Sequence, residues 1–375
     1  MFQRRQALGR LGALAASLAA PPLLAQEPRG RIVLGQSAAL TGAAAQLGLQ
    51  FQAGARLYFA RLNARGGVNG RTIELKSLDD GYEPDRCAAN TRTLIDEGVA
   101  ALFGYIGTPT ALAALPLATN AKMPFIAPFT GAQALREPFN RYAFHVRASY
   151  FDETARIVNH LLSISLKNIA VFHQNDSYGQ AGLTGVVRAM EAHKSKPVIT
   201  ATVERNSVDV AQAVKAIVPA RPEAVVQISA YKSCAAFVRE ARKAGFGGQF
   251  YNVSFVGTAA LAQELGPDAR GVVVSQVMPF PFTPITPIAG EFLQAAAGAN
   301  VDVNYSSMEG FIAAKTIVEG LRRSNGAGGE ALVTGLESLR DFNLGGFHID
   351  FSATRHTGSN FVELTILGGD GRVRR

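Results

Sequence analysis

The chain has 375 residues, of which 47% are apolar and 18% are charged, and its formal net charge is +8 at pH 7. This composition indicates a globular protein that is large enough to bury one or two sizeable cores. The positive charge is spread along the sequence without a cluster of basic and aromatic residues, so we expect no nucleic-acid partner.

The first 25 residues are typical of an export signal. Arg4, Arg5 and Arg10 precede the apolar run Leu11–Ala20, which is too short for a membrane anchor. We expect cleavage after Ala25, by the Sec route or the twin-arginine route, and loss of these three arginines lowers the formal charge from +8 to about +5. No later stretch has the length and hydropathy of a transmembrane helix, so we expect a periplasmic protein without direct membrane insertion.

Short strands and helices alternate in the first part of the sequence. The predicted strands are Arg31–Gln36, Arg71–Leu78, Val99–Phe103 and Met123–Pro128. The predicted helices lie between them, the first ending near Ala64 before a Gly-Gly pair, the second covering Pro84–Glu97 and the third opening at Pro109. Such alternation predicts an α/β fold, a doubly wound parallel sheet with helices on both faces.

The same alternation restarts near Arg147 and predicts a second doubly wound sheet. Its predicted strands are Asn168–His173, Val198–Val203, Glu223–Ser229, Gln249–Val253 and Gly271–Val277. Its predicted helices are Tyr150–Leu162, Asp209–Val218 and Tyr231–Ala244, with others beginning at Gly179 and Thr258. After the Pro-rich stretch Pro279–Pro287, we predict helices at Ile288–Ala297 and Ser306–Arg322 and strands near Phe347–Phe351 and Asn360–Leu367.

Two strand-to-helix junctions in the first half have the character of a ligand site. In one, Thr108 precedes a helix that Pro109 opens; in the other, Thr130 and Gln133 have the spacing of a helix N-cap and its capping-box partner. Hydroxyl groups and free backbone N–H groups at helix N-termini bind small anions. The pattern contains no nucleophile or general base, so it favours binding over catalysis.

Motifs of enzymes are weak in this sequence. It has no HExxH and no G-x-S-x-G motif. The Gly-rich segment Gly326–Ala331 fits a dinucleotide-binding pattern but follows a helix, so we predict a flexible loop. His348, Asp350 and His356 are interpreted as part of a strand and a turn. We therefore expect no catalytic residues, no cofactor and no metal, and a secreted α/β enzyme is a minor alternative.

The sequence resembles the periplasmic substrate-binding proteins of the branched-chain amino acid type of ABC transporter, which are Leu/Ile/Val-binding-like. The matching stretches are Leu40–Pro84, with its ARGGVNGR segment, the two junctions above, Asn175–Leu183 and Ser229–Phe246. The resemblance implies the type I periplasmic binding fold, a clamshell of two lobes joined by a three-strand hinge. It also implies amino-acid transport or a related process, with delivery of a small-molecule ligand to an inner-membrane ABC permease and its ATPase.

From these features we divide the chain after the signal at 1–25 into two discontinuous lobes. The N-terminal lobe would comprise 26–146 and 281–341, and the C-terminal lobe 147–280 and 342–375. Cys87 and Cys234 fall in different lobes, which favours two unpaired, packed thiols over a disulfide. We expect a monomer. A sensor that presents its ligand to a receptor is the alternative function for the same fold.

The resemblance also implies positions for the ligand. The hydroxyl that holds the ligand carboxylate in relatives corresponds to Thr108, next to Gly107, and a second such position falls on Gly131, one residue after Thr130. Two tyrosines of the second lobe correspond to Tyr178 and Tyr231. The glutamate that pairs with the ligand ammonium in relatives corresponds to Ser254.

Without a carboxylate at position 254, a buried ammonium would lack a compensating charge. We therefore expect a carboxylate ligand with an apolar or aromatic body, an amino-acid-like organic acid rather than an ordinary α-amino acid. Asp176 or Glu309 in place of the missing charge would restore amino acids. The remaining candidate contacts of the ligand are Gln46, Tyr105, Tyr150 and Phe255.

Overall fold

The computed structural model describes residues 30–375, and the predicted export signal lies outside these residues. Two sheets of mainly parallel strands form the centres of two lobes. The first sheet has the strand order β2-β1-β3-β4-β5, with all strands parallel. Its strands are β1 Arg31–Ala38, β2 Thr72–Asp79, β3 Ala101–Phe103, β4 Phe125–Ile126 and β5 Ala143–Phe144. The helices between them are α1 Ala45–Asn63, α2 Pro84–Asp96 and α3 Thr108–Asn120.

The second sheet has seven strands, and two antiparallel strands complete one edge. Its strands are β6 Ile169–Gln174, β7 Thr200–Val203, β8 Ala224–Ile228, β9 Gln249–Asn252, β10 Val273–Gln276, β13 Glu363–Leu367 and β14 Val373–Arg374. Its helices are α4 Tyr150–Ser163, α5 Ser177–Glu191, α6 Ala211–Ile217, α7 Tyr231–Lys243 and α8 Thr258–Leu265. The predicted two-lobed α/β fold is therefore confirmed.

Three further helices and a two-stranded ribbon precede the last strands. They are α9 Pro287–Ala296, α10 Tyr305–Arg323, α11 Gly329–Glu337, β11 Phe342–Asn343 and β12 His348–Ile349. Helix α10 packs along α1 at very short range, because two glycines remove the side chains at the crossing. A Cβ at Gly54 would lie 1.8 Å from the Ser307 carbonyl oxygen, and one at Gly310 would lie 2.0 Å from that of Phe51.

The chain passes between the two sheets three times: between β5 and α4, between β10 and α9, and between β12 and β13. A parallel bridge between His145 and Thr357 joins the first and third passages. These passages form the predicted three-strand hinge. Within residues 30–375, no helix combines the length and the hydropathy that a membrane crossing requires.

Two local predictions were wrong. Thr130 does not cap an α-helix: its hydroxyl accepts from the Ala132 N–H, and only a short 3-10 turn follows at Gln133–Leu135. Pro138 explains this, because the residue before a proline is disfavoured in helical conformation. The Gly-rich segment is not a loop throughout, since Gly329 is the first residue of α11.

Candidate functional site

Loops from both sheets meet where parallel strands end. Thr108 and Thr130 follow β3 and β4 of the first lobe, and Tyr178 and Phe255 follow β6 and β9 of the second. Carboxyl ends of parallel strands are the usual place of ligand sites in such sheets. All four side chains are buried, so the lobes are closed on one another here.

The two threonine hydroxyls form a closed hydrogen-bonded group. The Oγ1 atoms of Thr108 and Thr130 lie 2.6 Å apart, and the Thr130 hydroxyl lies 3.3 Å from the hydroxyl of Tyr150. Thr130 Oγ1 also accepts from the Ala132 N–H at 3.2 Å. A hydroxyl has one donor and two acceptor positions, so Thr130 is saturated by protein groups in this conformation.

Five aromatic rings fill the space between the lobes above these hydroxyls. They are Tyr82 and Phe129 of the first lobe and Tyr150, Tyr178 and Phe255 of the second. Tyr178 lies at the centre, with ring centroids 4.6 Å from Phe255 and 5.4 Å from Tyr150. We call these five residues the ring cluster.

The ring cluster also covers the two glycines of the predicted site. A Cβ at Gly107 would lie 2.2 Å from the Tyr82 ring, and a Cβ at Gly131 would lie 2.6 Å from Tyr150. Side chains of the protein therefore occupy the space over both predicted backbone positions.

Three predicted contacts lie apart from this group. Tyr105 is in the interior of the first lobe, where its hydroxyl accepts from Thr91 at 3.1 Å and its ring packs against Phe125. Gln46, at the start of α1, is half-buried, and its backbone amide faces the Tyr231 hydroxyl of the other lobe. Gln46 and Tyr231 thus form a separate contact across the cleft.

A buried group of charges lies beside the ring cluster; the sequence analysis named its member Glu309 as an alternative partner of the ligand but did not predict Arg147 or Glu153. The Arg147 guanidinium is 1% exposed and stacks 4.5 Å above the Phe129 ring. Its Nη2 donates to the Ser254 hydroxyl, and its Nε lies 3.3 Å from Glu309 Oε1. Among residues 30–375, Nη1 of Arg147 has no hydrogen-bond partner, and Nε meets Glu309 as an ion pair without hydrogen-bond geometry.

Glu153 supplies a carboxylate next to Ser254, the position at which the sequence resemblance implied a glutamate in relatives. Its oxygens accept from the Ser254 N–H at 2.7 Å, the Ser254 hydroxyl at 3.0 Å and the Ser275 hydroxyl at 2.6 Å. Three donors occupy most of the acceptor capacity of a carboxylate. Glu153 therefore organises the second lobe rather than facing a ligand.

A small cavity opens beside Arg147, with room for about one water molecule. Of the sequence-predicted contacts only Ser254 lines it. The full lining is Phe129, Arg147, Ser254, Thr258, Gln276, Val277, Met278, Tyr305, Ser306 and Glu309.

Burial determines the electrostatics of this region. Desolvation raises the pKa of Glu309 to about 7, although Arg147 opposes the shift. Desolvation likewise raises the pKa of Tyr150 to about 12, so its hydroxyl stays protonated and can donate. The Tyr178 hydroxyl has no hydrogen-bond partner among the described residues, and burial raises its pKa well above the ordinary value.

The rim of the cleft carries polar contacts between the lobes. Arg205 Nη2 donates to Glu83 Oε2 at 2.9 Å, and Asn206 Nδ2 donates to Glu83 Oε1 at 2.8 Å. Glu83 precedes α2 in the first lobe, whereas Arg205 and Asn206 follow β7 in the second. We call these three residues the rim latch.

One of the missed residues had a detectable signal. Glu153 shares a helix face with Tyr150 and Ile157, at helical spacing, which places an acid on the buried side of α4. Arg147 lies in the mixed run Ala143–Ser149, which also contains His145, and a single charge there does not by itself indicate a buried guanidinium.

Comparison with known proteins agrees with this architecture. The chain belongs to the periplasmic binding protein family, whose profile it matches over residues 31–369. An amino acid binding protein of Pseudomonas aeruginosa is 27% identical over 262 residues, which are 69% of this chain and 70% of that protein. The predicted relationship to branched-chain amino acid-type binding proteins is confirmed, and the chain is a binding protein rather than an enzyme.

Solved structures show the same fold. A possible leucine/isoleucine/valine-binding protein from Rhodopirellula baltica superposes with a TM-score of 0.87 and 33% identity, covering 95% of this chain and 97% of that one. A fatty acid ABC transporter substrate-binding protein from Thermomonospora curvata has a TM-score of 0.83 at 21% identity, covering 91% and 90%. The second likeness concerns the fold alone.

Proposed function

We propose that this protein captures a small carboxylate-bearing solute between its two lobes in the periplasm and delivers it to an inner-membrane ABC permease. The solute is an amino acid or, as the sequence favours, an amino-acid-like organic acid with an apolar or aromatic body. The observation that carries this proposal is the closed contact of the ring cluster and the adjoining polar groups, to which both lobes contribute. The lobe division at 26–146 with 281–341 and 147–280 with 342–375 remains part of the proposal.

The mechanism is closure of a clamshell. In an open form, the solute would reach the polar groups of the first lobe, and closure would bring Tyr178 and Phe255 over its body. Water leaves as the lobes meet, which strengthens the remaining polar contacts because the local dielectric constant falls. The closed surface is what a permease would recognise.

A thermal-shift screen of residues 26–375 tests the ligand class. Leucine and phenylalanine form one panel, and their counterparts without the amino group, 4-methylpentanoate and 3-phenylpropanoate, form the other. A ligand that binds the folded state raises the melting temperature by mass action, and we expect shifts with the second panel. Shifts with the amino acids alone would contradict the preference for organic acids. An unchanged melting temperature with all compounds of both panels would contradict the proposed ligand class.

A further inference from the structure

We propose that Arg147 binds the ligand carboxylate, that Glu309 accompanies it in the protonated form, and that this pair selects organic acids without an amino group. This inference rests on the proposed function and names the group that determines its specificity. It moves the anchor of the ligand away from Thr108 and Thr130, towards the hinge.

Arg147 has unused donors in a closed, buried place. A guanidinium has five N–H donors, yet the Nε and Nη1 of Arg147 have no hydrogen-bond partner within residues 30–375. Ser254 and the Glu309 carboxylate, 3.3 Å from Nε, replace only part of the hydration that this buried cation loses. A ligand carboxylate would supply acceptors for the remaining donors, because its two oxygens match the fork of the guanidinium.

Of the two threonines, Thr130 has no hydrogen-bonding position left in the closed state, and Thr108 is bonded to Thr130. The Thr130 hydroxyl is saturated by Thr108, Tyr150 and the Ala132 N–H. A ligand that bound there would first have to break these bonds and displace Tyr150. A small cavity between the lobes lies at Arg147, and Phe129, Val277 and Met278 provide its apolar wall.

The net charge of the buried groups indicates whether Glu309 is protonated when the ligand is bound. The charged groups that act on it are Arg147, Glu153 and Arg136. With Glu309 ionised, these four groups sum to zero, and a bound carboxylate would make the total −1. With Glu309 protonated, the total with the ligand is zero, and the carboxyl O–H can donate to the ligand.

The pKa of Glu309 is compatible with its protonation when a carboxylate ligand binds. Its pKa of about 7 means that protonation near neutral pH costs little free energy. Binding of an acid is then coupled to uptake of one proton, and affinity falls as the pH rises above that value. An ammonium-bearing ligand would require the opposite, an ionised Glu309.

Isothermal titration calorimetry of residues 26–375 at pH 6.5 and pH 8.5 tests the inference with 4-methylpentanoate and 3-phenylpropanoate. We expect wild type to bind these acids roughly 25-fold more weakly at pH 8.5, Glu309→Gln to bind them similarly at both pH values, and Arg147→Met to lose roughly 100-fold in affinity. Thr108→Val serves as the matched control at the alternative anchor, and we expect it to lose less than Arg147→Met.

Three results would overturn the inference while the proposed function stands. They are Arg147→Met binding within about threefold of wild type, a larger loss in Thr108→Val, and binding of leucine or phenylalanine that Glu309→Gln abolishes. If Arg147→Met does not fold, as judged by circular dichroism, Arg147→Lys replaces it and is expected to lose at least about tenfold, because lysine lacks the bidentate fork. If wild type binds none of the four compounds, the proposed ligand class is overturned, and this inference with it.

Discussion

At the scale of single residues, Glu309 should make stability depend on pH even without ligand. Its folded-state pKa of about 7 lies above the ordinary value of 4.5, so the folded protein holds this proton more firmly than the unfolded chain. The associated stability is fully present below pH 4.5 and is lost as the pH rises through 7. We expect the free energy of unfolding of wild type to fall by up to roughly 3 kcal/mol over this range relative to Glu309→Gln.

Urea unfolding at several pH values between 4.5 and 8 measures this difference. Glu319→Gln is the matched control, because Glu319 lies on the same helix and pairs with Arg322 near the surface. Its pH profile should run parallel to that of wild type. Parallel profiles for Glu309→Gln as well would show that Glu309 titrates normally.

The sequence located some residues of this region and missed others for physical reasons. Tyr178, Ser254 and Phe255 follow strand ends, and strand ends can be predicted from local patterns. Arg147 meets Ser254, which is 107 residues away in the sequence, and Glu309 only in the folded chain. Local periodicity contains no information about such a contact.

At the scale of elements, the crossing of α1 and α10 depends on Gly54 and Gly310. A Cβ at either position would meet a backbone carbonyl oxygen at 2.0 Å or less, so the two helices would have to separate. We expect Gly54→Ala and Gly310→Ala each to lower the free energy of unfolding by roughly 1–3 kcal/mol, as overpacking in a core does. Thermal unfolding followed by circular dichroism measures the effect.

Gly290→Ala is the matched control for these substitutions. Gly290 lies inside α9, and its added Cβ would have only an ordinary contact with Pro284 at 3.6 Å. Alanine has the higher helix propensity, so this variant should gain about 0.5–1 kcal/mol. A loss at Gly290 equal to that at Gly54 would mean that steric contact between α1 and α10 is not the cause.

Most elements could be predicted because hydrophobic runs and helix caps are local signals. Strand β1 was predicted to end at Gln36 and extends to Ala38, whereas α4 matches its prediction within one residue. Helix α11 was missed because its glycine-rich start has the composition of a loop. The helix whose N-cap was predicted at Thr130 is reduced to the 3-10 turn Gln133–Leu135, since Pro138 follows soon after.

At the scale of the whole molecule, the rim latch stabilises the closed arrangement of the lobes. Glu83→Ala removes the carboxylate that both Arg205 and Asn206 contact, although Asn206 keeps its contact with the Gly81 carbonyl oxygen, so the equilibrium should shift towards open forms. We expect ligand affinity to fall roughly two- to fivefold, the size expected for partly exposed ion pairs. Small-angle X-ray scattering of the ligand-free protein should also show a larger radius of gyration.

Glu74→Ala is the control for the rim latch. Glu74 pairs with Arg31 at 2.6 Å inside the first lobe, so its removal should leave the lobe equilibrium unchanged. If scattering from Glu83→Ala and Glu74→Ala were identical to that of wild type, the latch would have no part in closure. The two-lobed plan itself could be predicted from repeated strand–helix alternation, but contacts between the lobes could not, because each joins segments far apart in sequence.

The ring cluster gives the molecule an optical property. The chain contains nine tyrosines and no tryptophan, so its near-ultraviolet absorbance and its intrinsic fluorescence are dominated by tyrosine. Tyr82, Tyr150 and Tyr178 lie between the lobes, where separation would bring water to rings that are now packed against one another. The protein therefore carries an intrinsic chromophore at its moving interface, and its lobe motion can be followed in real time without an attached dye.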